Sequence, residues 1–398
     1  MELIKGKRMN FKSIFSETEI IKSSGLIFLA NFFGAVILFV SNILISTYFG
    51  PETFGNFKII LELSLFLPIL IEFGANVTIV KYTAEMIKKD SKKVNYLIKW
   101  ILKLRLISYS ILLILMFVFK EQIAIYLLKD ASLSSLVIPG IFISGLFFFE
   151  IFKSIALGLQ DYKEYSISKF LTFSSSGILM LIFGYFFGIH LALIGWSLSY
   201  FLGNLPLMIS SFRKGMFYDS KKFNMKKIFF NFSFPMYILF FPGLLSSAAI
   251  PLLSLYYSQK IIGYYSFSMI FFNGISLIPL SFSDFLFPKI SSLNIKKNKR
   301  MAEAHLKKVL SIYTLIVIPG ILGIILLSDF IIQLIAPSYL PSILVFKTLV
   351  TTGFLLGYFL IYEHYLRGLA RIKDFSLVFL IHNIIFLSIS FLILGILF

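Results

Sequence analysis

GLIFLANFFGAVILFVSNILIST, residues 25–47, is followed ten residues later by FKIILELSLFLPILIEFGANVTIV, residues 57–80. Each run is continuous, apolar and over 20 residues long, enough to cross about 30 Å of hydrocarbon as an α-helix at 1.5 Å per residue. Strands of a membrane barrel would be about half that length and would alternate apolar with polar residues. The turn between the runs, YFGPETFG (48–55), carries the Gly-Pro punctuation that reverses a chain. The pair therefore reads as a helical hairpin in a membrane. The whole chain agrees: of 398 residues 58% are hydrophobic and 14% charged, with mean hydropathy +0.90. That apolar fraction exceeds what one water-soluble core can bury.

Eleven such segments are expected, near residues 24–47, 57–80, 100–119, 134–157, 170–188, 190–211, 229–256, 262–288, 309–328, 342–364 and 375–397. The first follows Lys5, Lys7, Arg8 and Lys12 and is too long for a signal-peptide core, so it reads as a retained span. Thirty of the 37 lysines and arginines fall at alternate connections, on one side. The positive-inside rule makes that side, with the N-terminus, cytoplasmic, in a multi-pass protein of the cell membrane. The formal net charge of +18 is thereby a topology signal that touches anionic headgroups, and nucleic acid is not an expected partner. The chain has no cysteine, and its four histidines lack ligand spacing, so no metal site or cofactor is expected.

The chain also repeats itself. Gly158-Leu159 through Lys163-Glu164-Tyr165-Ser166 and Gly368-Leu369 through Lys373-Asp374-Phe375-Ser376 share G-L-x-x-x-K-acidic-aromatic-S at an offset of 210 residues. The first hairpin (Tyr48-Phe49, Gly55-Asn56-Phe57) matches Tyr256-Tyr257 and Gly263-Tyr264-Tyr265 at an offset of 208. Six helices, an even number, separate the copies, so the repeats are parallel, with a pseudo-twofold axis along the membrane normal and a cleft between two lobes. The expected organisation is a basic N-terminal segment (1–23), a six-helix lobe (24–211), a basic linker (212–228) and a five-helix lobe (229–398). On this register the counterpart of the sixth helix is missing.

With those motifs in hand, the chain resembles a family. Tyr48-Phe49-Gly50-Pro51-Glu52-Thr53-Phe54-Gly55 resembles the "LGPeeyG" turn of polysaccharide-exporting flippases. Glu72-Phe73-Gly74-Ala75 with Lys81-Tyr82-Thr83-Ala84-Glu85 resembles their "dlGl…ryiae". Phe234-Pro235, Ile262-Gly263-Tyr264-Tyr265-Ser266 and Leu286-Phe287-Pro288-Lys289-Ile290-Ser291 resemble "lP", "vGiYs" and "lfPkis". The ordered set is similar to the multidrug/oligosaccharidyl-lipid/polysaccharide (MOP) superfamily, on its Wzx-like O-antigen flippase branch. The resemblance implies an all-α, two-lobed protein with alternating access to a central cavity. It implies a polyprenyl-pyrophosphate-linked oligosaccharide as substrate, moved from the cytoplasmic to the outer leaflet. Membrane lipids, a polysaccharide polymerase and glycosyltransferases would be its partners. Family members usually have 12 or 14 spans, and eleven is a departure.

Such a substrate needs hydrogen-bonding groups for sugar hydroxyls and cations for phosphate inside a low-dielectric slab. Candidates for the cavity are Asn31 and Asn42, eleven apart on one face of the first span, Lys58 and Glu62, one helical turn apart, and Arg105 and Lys153. For Arg105 and Lys153 snorkelling to headgroups is the competing reading. Glu72, Glu150 and Asp284 are candidates for coupling transport to an ion. Lys153 and Glu363 occupy equivalent repeat positions with opposite charge, an expected asymmetric cavity or contact between lobes. Pro235, Pro242 and Pro251 are candidate hinges in the seventh segment, with Pro68 and Pro279 in the second and eighth. Two rival functions are weighed. A cation-coupled multidrug exporter of the MATE type should show an acidic cavity. A membrane enzyme acting on the same lipid should carry a large catalytic loop, which the short connections do not supply.

Overall fold

The computed structural model describes residues 17–87, 89–291, 295–369 and 371–398. Lys5, Lys7, Arg8, Lys12 and Lys88 lie outside the described residues. The elements in chain order are α1 (Glu17–Leu70), α2 (Ala75–Met86), α3 (Ser91–Val118), α4 (Lys120–Ile123), α5 (Val137–Leu146), α6 (Ile151–Gly158), α7 (Tyr162–Phe187) and α8 (Ile189–Arg213). They continue with α9 (Met225–Ile228), α10 (Phe234–Ser247), α11 (Ala249–Ser254), α12 (Gln259–Ser291), α13 (Ile295–Ile335), α14 (Ile343–Gly368) and α15 (Ile372–Leu397). Among the described residues there is no strand.

Among the described residues, ten helical segments are long and apolar enough to cross a membrane. The first of them, Asn31–Leu70, is 40 residues long and leaves helical geometry at Gly50 (φ 76°, ψ 173°), followed by Pro51. Glycine accepts that positive φ without a Cβ clash, and proline pre-sets the first turn of the next helix. Two arms of about 20 residues result, so the ten segments make the eleven crossings expected. The hairpin is visible in its consequences: Asn42 and Lys58, each eight residues from Gly50, line one cavity.

The first arm of α1 runs parallel to α7, with Gly34 against Phe173, Gly177 against Ser41 and Gly184 against Ile45. The second arm runs parallel to α5, where Gly140 meets Ser64 and the Ser144 hydroxyl donates to the Ser64 carbonyl (2.9 Å). Small residues let these backbones approach, which is how helices associate where lipid is as apolar as leucine. Large apolar side chains such as Leu315, Leu326 and Leu334 remain outward on α13, facing the hydrocarbon.

The repeat is real in three dimensions. Helix α6 ends at Gly158 and α7 starts at Tyr162; α14 ends at Gly368 and α15 starts at Ile372, a shift of 210 at both boundaries. Their connecting hydrogen bonds superimpose under the same shift: Leu159 N to Ile155 O (2.9 Å) with Leu369 N to Tyr365 O (3.0 Å), and Asp161 N to Ala156 O (2.9 Å) with Arg371 N to Leu366 O (3.0 Å). Where the lobes meet, Gly55 abuts the Gln259 carbonyl while Gly263 abuts the Pro51 carbonyl. Both contacts are related by an offset of 208, so the pseudo-twofold axis passes between these two helix starts.

The seventh crossing is not one helix. A π-helical turn (Phe229–Ser233) leads into α10, which carries Pro235 in its first turn and Pro242 inside. The helix breaks again at Ala248 before α11, which contains Pro251. Each proline removes a backbone donor and crowds the preceding turn, so the segmentation follows from the sequence.

Candidate substrate cavity

A cavity of about 830 Å³ lies between the lobes, bounded by both arms of α1 and by α7, α8, α10, α11, α12, α14 and α15. Most of its wall is apolar and aromatic, with Phe39, Trp196, Tyr265 and Phe272 among the lining rings. Two polar poles interrupt that wall.

The first pole joins Asn42, Lys58, Glu62 and Ser266. Counted along their helices, all four sit between about 10 and 17 Å from the helix starts at Pro51 and Gln259 or from the turn at Gly50. Lys58 Nζ lies 3.8 Å from Glu62 Oε1, the i, i+4 pairing expected from their spacing, at the long limit for an ion pair. Asn42 donates to the Leu38 carbonyl (2.8 Å), which leaves its buried Oδ1 without a partner. The Ser266 Oγ, on a residue only 1% exposed, is also unpartnered. Buried polar atoms are normally satisfied, so two unpartnered ones packed just behind the cavity wall offer bonds to a ligand's hydroxyls once a neighbouring side chain shifts.

The second pole is on the other lobe. His382 Nδ1 lies 2.7 Å from Glu363 Oε1. At the next residue, Asn383, the Oδ1 accepts from the Ser246 hydroxyl (2.5 Å), tying α10 to α15. His382 has no place in a motif. The signal for it was its depth, ten residues into an apolar helix, where an ionisable side chain needs a reason.

The other candidates lie elsewhere. Arg105, only 3% exposed, bonds Asn76 Oδ1 (3.1 Å), Tyr109 OH (2.9 Å) and the Phe147 carbonyl (3.4 Å). Glu72 accepts from the Asn76 backbone N–H (3.1 Å) at the start of α2. Lys153 pairs with Glu150 (2.8 Å), which also accepts from Asn204 Nδ2 (3.1 Å). These residues form a buried network inside the first lobe rather than lining the cavity. Arg105 is therefore held by the protein and does not reach a headgroup. Lys153 and Glu363, expected as equivalents, are equivalent in position but do not meet: one pairs within its own lobe, the other faces the cavity. Asn31 is not among the cavity-lining residues, and the side chain of Asp284 lies outside the described residues. Among the described residues no cluster of metal-ligating side chains occurs.

That network braces a break. The chain leaves helical geometry at residues 71–74, with Phe73 (φ 49°) and Gly74 (φ 72°) in the left-handed region. The other lobe docks on the exposed carbonyls: Ser233 Oγ donates to Phe73 O (2.9 Å), Tyr237 OH to Leu70 O (2.9 Å), and Thr78 Oγ1 to Ser233 Oγ (2.9 Å). The lobes thus touch on the lysine-rich side at this latch. On the opposite side they touch at the crossed glycines, where Tyr339 OH also donates to the Ser46 carbonyl (3.0 Å). The cavity lies between the two closures.

Two pseudo-symmetric helical lobes around a central cavity are the architecture of a membrane transporter built from parallel repeats. The chain belongs to the family described as polysaccharide biosynthesis protein, whose model matches residues 20–294, and with it to the MOP superfamily. No curated protein matches its sequence. The fold is shared with solved structures. Lipid II flippase MurJ in an inward closed conformation aligns at TM-score 0.68 and 18% identity, over 92% of this chain and 86% of that one. A multidrug resistance MATE family transporter in an inward-facing conformation aligns at TM-score 0.64 and 14% identity, over 91% and 95%. The Vibrio cholerae MATE transporter VcmN in its bent form aligns at 0.58 and 13%, over 96% and 98%.

Proposed function

We propose that this protein turns a polyprenyl-pyrophosphate-linked oligosaccharide from the cytoplasmic to the outer leaflet of the cell membrane, by alternating access, for synthesis of a cell-surface polysaccharide. The observation that carries the reading is the cavity: about 830 Å³, between the lobes of a polysaccharide biosynthesis family member, with polar poles in an aromatic wall. Pockets of about 300–1,000 Å³ hold drug-sized ligands, and a diphosphate with its first sugars is of that size while the polyprenyl tail stays in lipid. Lys58 supplies a cation and His382 a ring N–H for the diphosphate, while Asn42, Ser266 and the carboxylates supply partners for hydroxyls. The N-terminus and the lysine-rich connections lie in the cytoplasm on this reading, residues 24–211 and 229–398 are the moving lobes, and 212–228 links them. Glycosyltransferases build the substrate on one side and a polymerase consumes it on the other, so the chain itself makes and breaks no bond.

A second reading, a cation-coupled multidrug exporter of the MATE type, draws on Glu62 and Glu363 as acidic groups facing the cavity. Proteoliposomes separate the two. Labelled lipid-linked oligosaccharide should reach the far leaflet only with intact protein. Movement of an organic cation with no movement of the lipid would transfer the case to the exporter.

A further inference from the structure

We infer that the glycan this protein carries is electrically neutral, built of hexoses and N-acetylated amino sugars rather than of uronic or other acidic sugars. The inference rests on the flippase reading above and concerns what the same cavity selects.

The ionisable residues lining the cavity, among the described residues, are Lys58, Glu62, Glu363 and His382. Each cation has a carboxylate beside it, at 3.8 Å for Lys58 and 2.7 Å for His382. The lining thus holds two basic groups and two carboxylates in pairs, and neither basic group stands without a carboxylate beside it. A polyprenyl diphosphate brings its own negative charge, and Lys58 and His382 are the two groups that can answer it. No cation remains for a carboxylate on a sugar. An acidic sugar would instead meet Glu62 or Glu363, and like charges at these separations repel in a partly dry cavity.

The unpartnered groups point the same way. The Asn42 Oδ1 and the Ser266 Oγ are buried, neutral and free of hydrogen bonds. An amide oxygen accepts, and a serine hydroxyl both donates and accepts. That is the repertoire for sugar hydroxyls and N-acetyl N–H groups, which leave no charge to be balanced. The surrounding aromatic wall fits the apolar faces of sugar rings and offers nothing to a carboxylate. The strong cation that could have served an acidic glycan, Arg105, is instead bound to Asn76 and Tyr109 inside the first lobe.

The test uses the full chain in proteoliposomes and two polyprenyl-diphosphate trisaccharides identical but for the terminal sugar, hexose in one and hexuronic acid in the other. The neutral carrier is expected to cross at least about tenfold faster, the factor that one like-charge contact of this order produces. Glu62→Gln and Glu363→Gln should each narrow that ratio, because each removes the repelling charge. Equal rates, or faster transport of the acidic carrier, overturn the inference while leaving the flippase reading intact. Failure of both carriers to move overturns the flippase reading, and the inference with it. The comparison of two substrates on the unmodified protein stands even where a variant does not fold.

Discussion

Ser233→Ala tests whether the contact on the lysine-rich side is a latch that governs access to the cavity. In the closed contact the Ser233 hydroxyl donates to the Phe73 carbonyl and receives a bond from Thr78, both at 2.9 Å. The second is shared, since the Thr78 hydroxyl also reaches the Gly74 carbonyl at 2.9 Å and keeps that bond without Ser233. The variant therefore loses one full hydrogen bond and part of another, about 1–2 kcal/mol at ordinary net values. At about 1.4 kcal/mol per factor of ten, the open-to-closed ratio on that side should rise about 5- to 30-fold. Alanine keeps the Cβ, so the packing of Gly74 against the Ser233 backbone is preserved. The chain has no cysteine, so a single Ser247→Cys in the cavity wall reports opening without background. A membrane-impermeant maleimide added on the lysine-rich side should label the cavity cysteine faster by that factor in the Ser233→Ala background. A labelling rate unchanged within twofold would refute the argument, because it would mean that these bonds hold no moving contact.

Three further outcomes are expected. Gly263→Ala drives a Cβ into the Pro51 carbonyl, which belongs to another helix and cannot yield by a rotamer change, so the opposite face should open and maleimide labelling from that side should increase. Arg105→Met removes the guanidinium that bonds Asn76, Tyr109 and the Phe147 carbonyl and should cost about 1.5–3 kcal/mol, read as a lowered unfolding temperature in detergent; Arg105→Lys should restore part of the loss. Lys58→Ala removes the cavity lysine and should slow transfer of the lipid-linked oligosaccharide by about tenfold or more; it also strands Glu62, so the unfolding temperature should fall and be recovered by adding Glu62→Gln while transfer stays slow.

The membrane architecture was legible because it depends on run length and on alternation of charge, both properties of the chain read locally. The repeat was legible because Gly158 and Gly368 must end helices in the same way, and the residues that do so recur at one offset. Lys58 and Glu62 were legible as a pair because a helix fixes the distance between i and i+4. What could not be read was which lobe interior or cavity each buried charge faces. Arg105, Lys153, Glu72 and Glu150 occupy apolar spans just as Lys58 does, and hydropathy gives no rotation about the helix axis. Tyr109 is one turn along from Arg105 on the same helix, but Asn76 and Asn204 reach Arg105 and Glu150 from other helices, and their selection is a matter of packing. His382 escaped notice for a related reason: its partner Glu363 lies on a neighbouring helix, 19 residues away.

The crossed contact of Gly55 on Gln259 and Gly263 on Pro51 has the form of an isologous interface, in which position i touches j and the equivalent of i touches the equivalent of j. Within one polypeptide nothing requires such reciprocity; between two copies of a half-length chain, symmetry enforces it. The contact has the geometry that two separate copies of one lobe would adopt about a C2 axis, so the two halves of the chain carry matched surfaces for one another on that face.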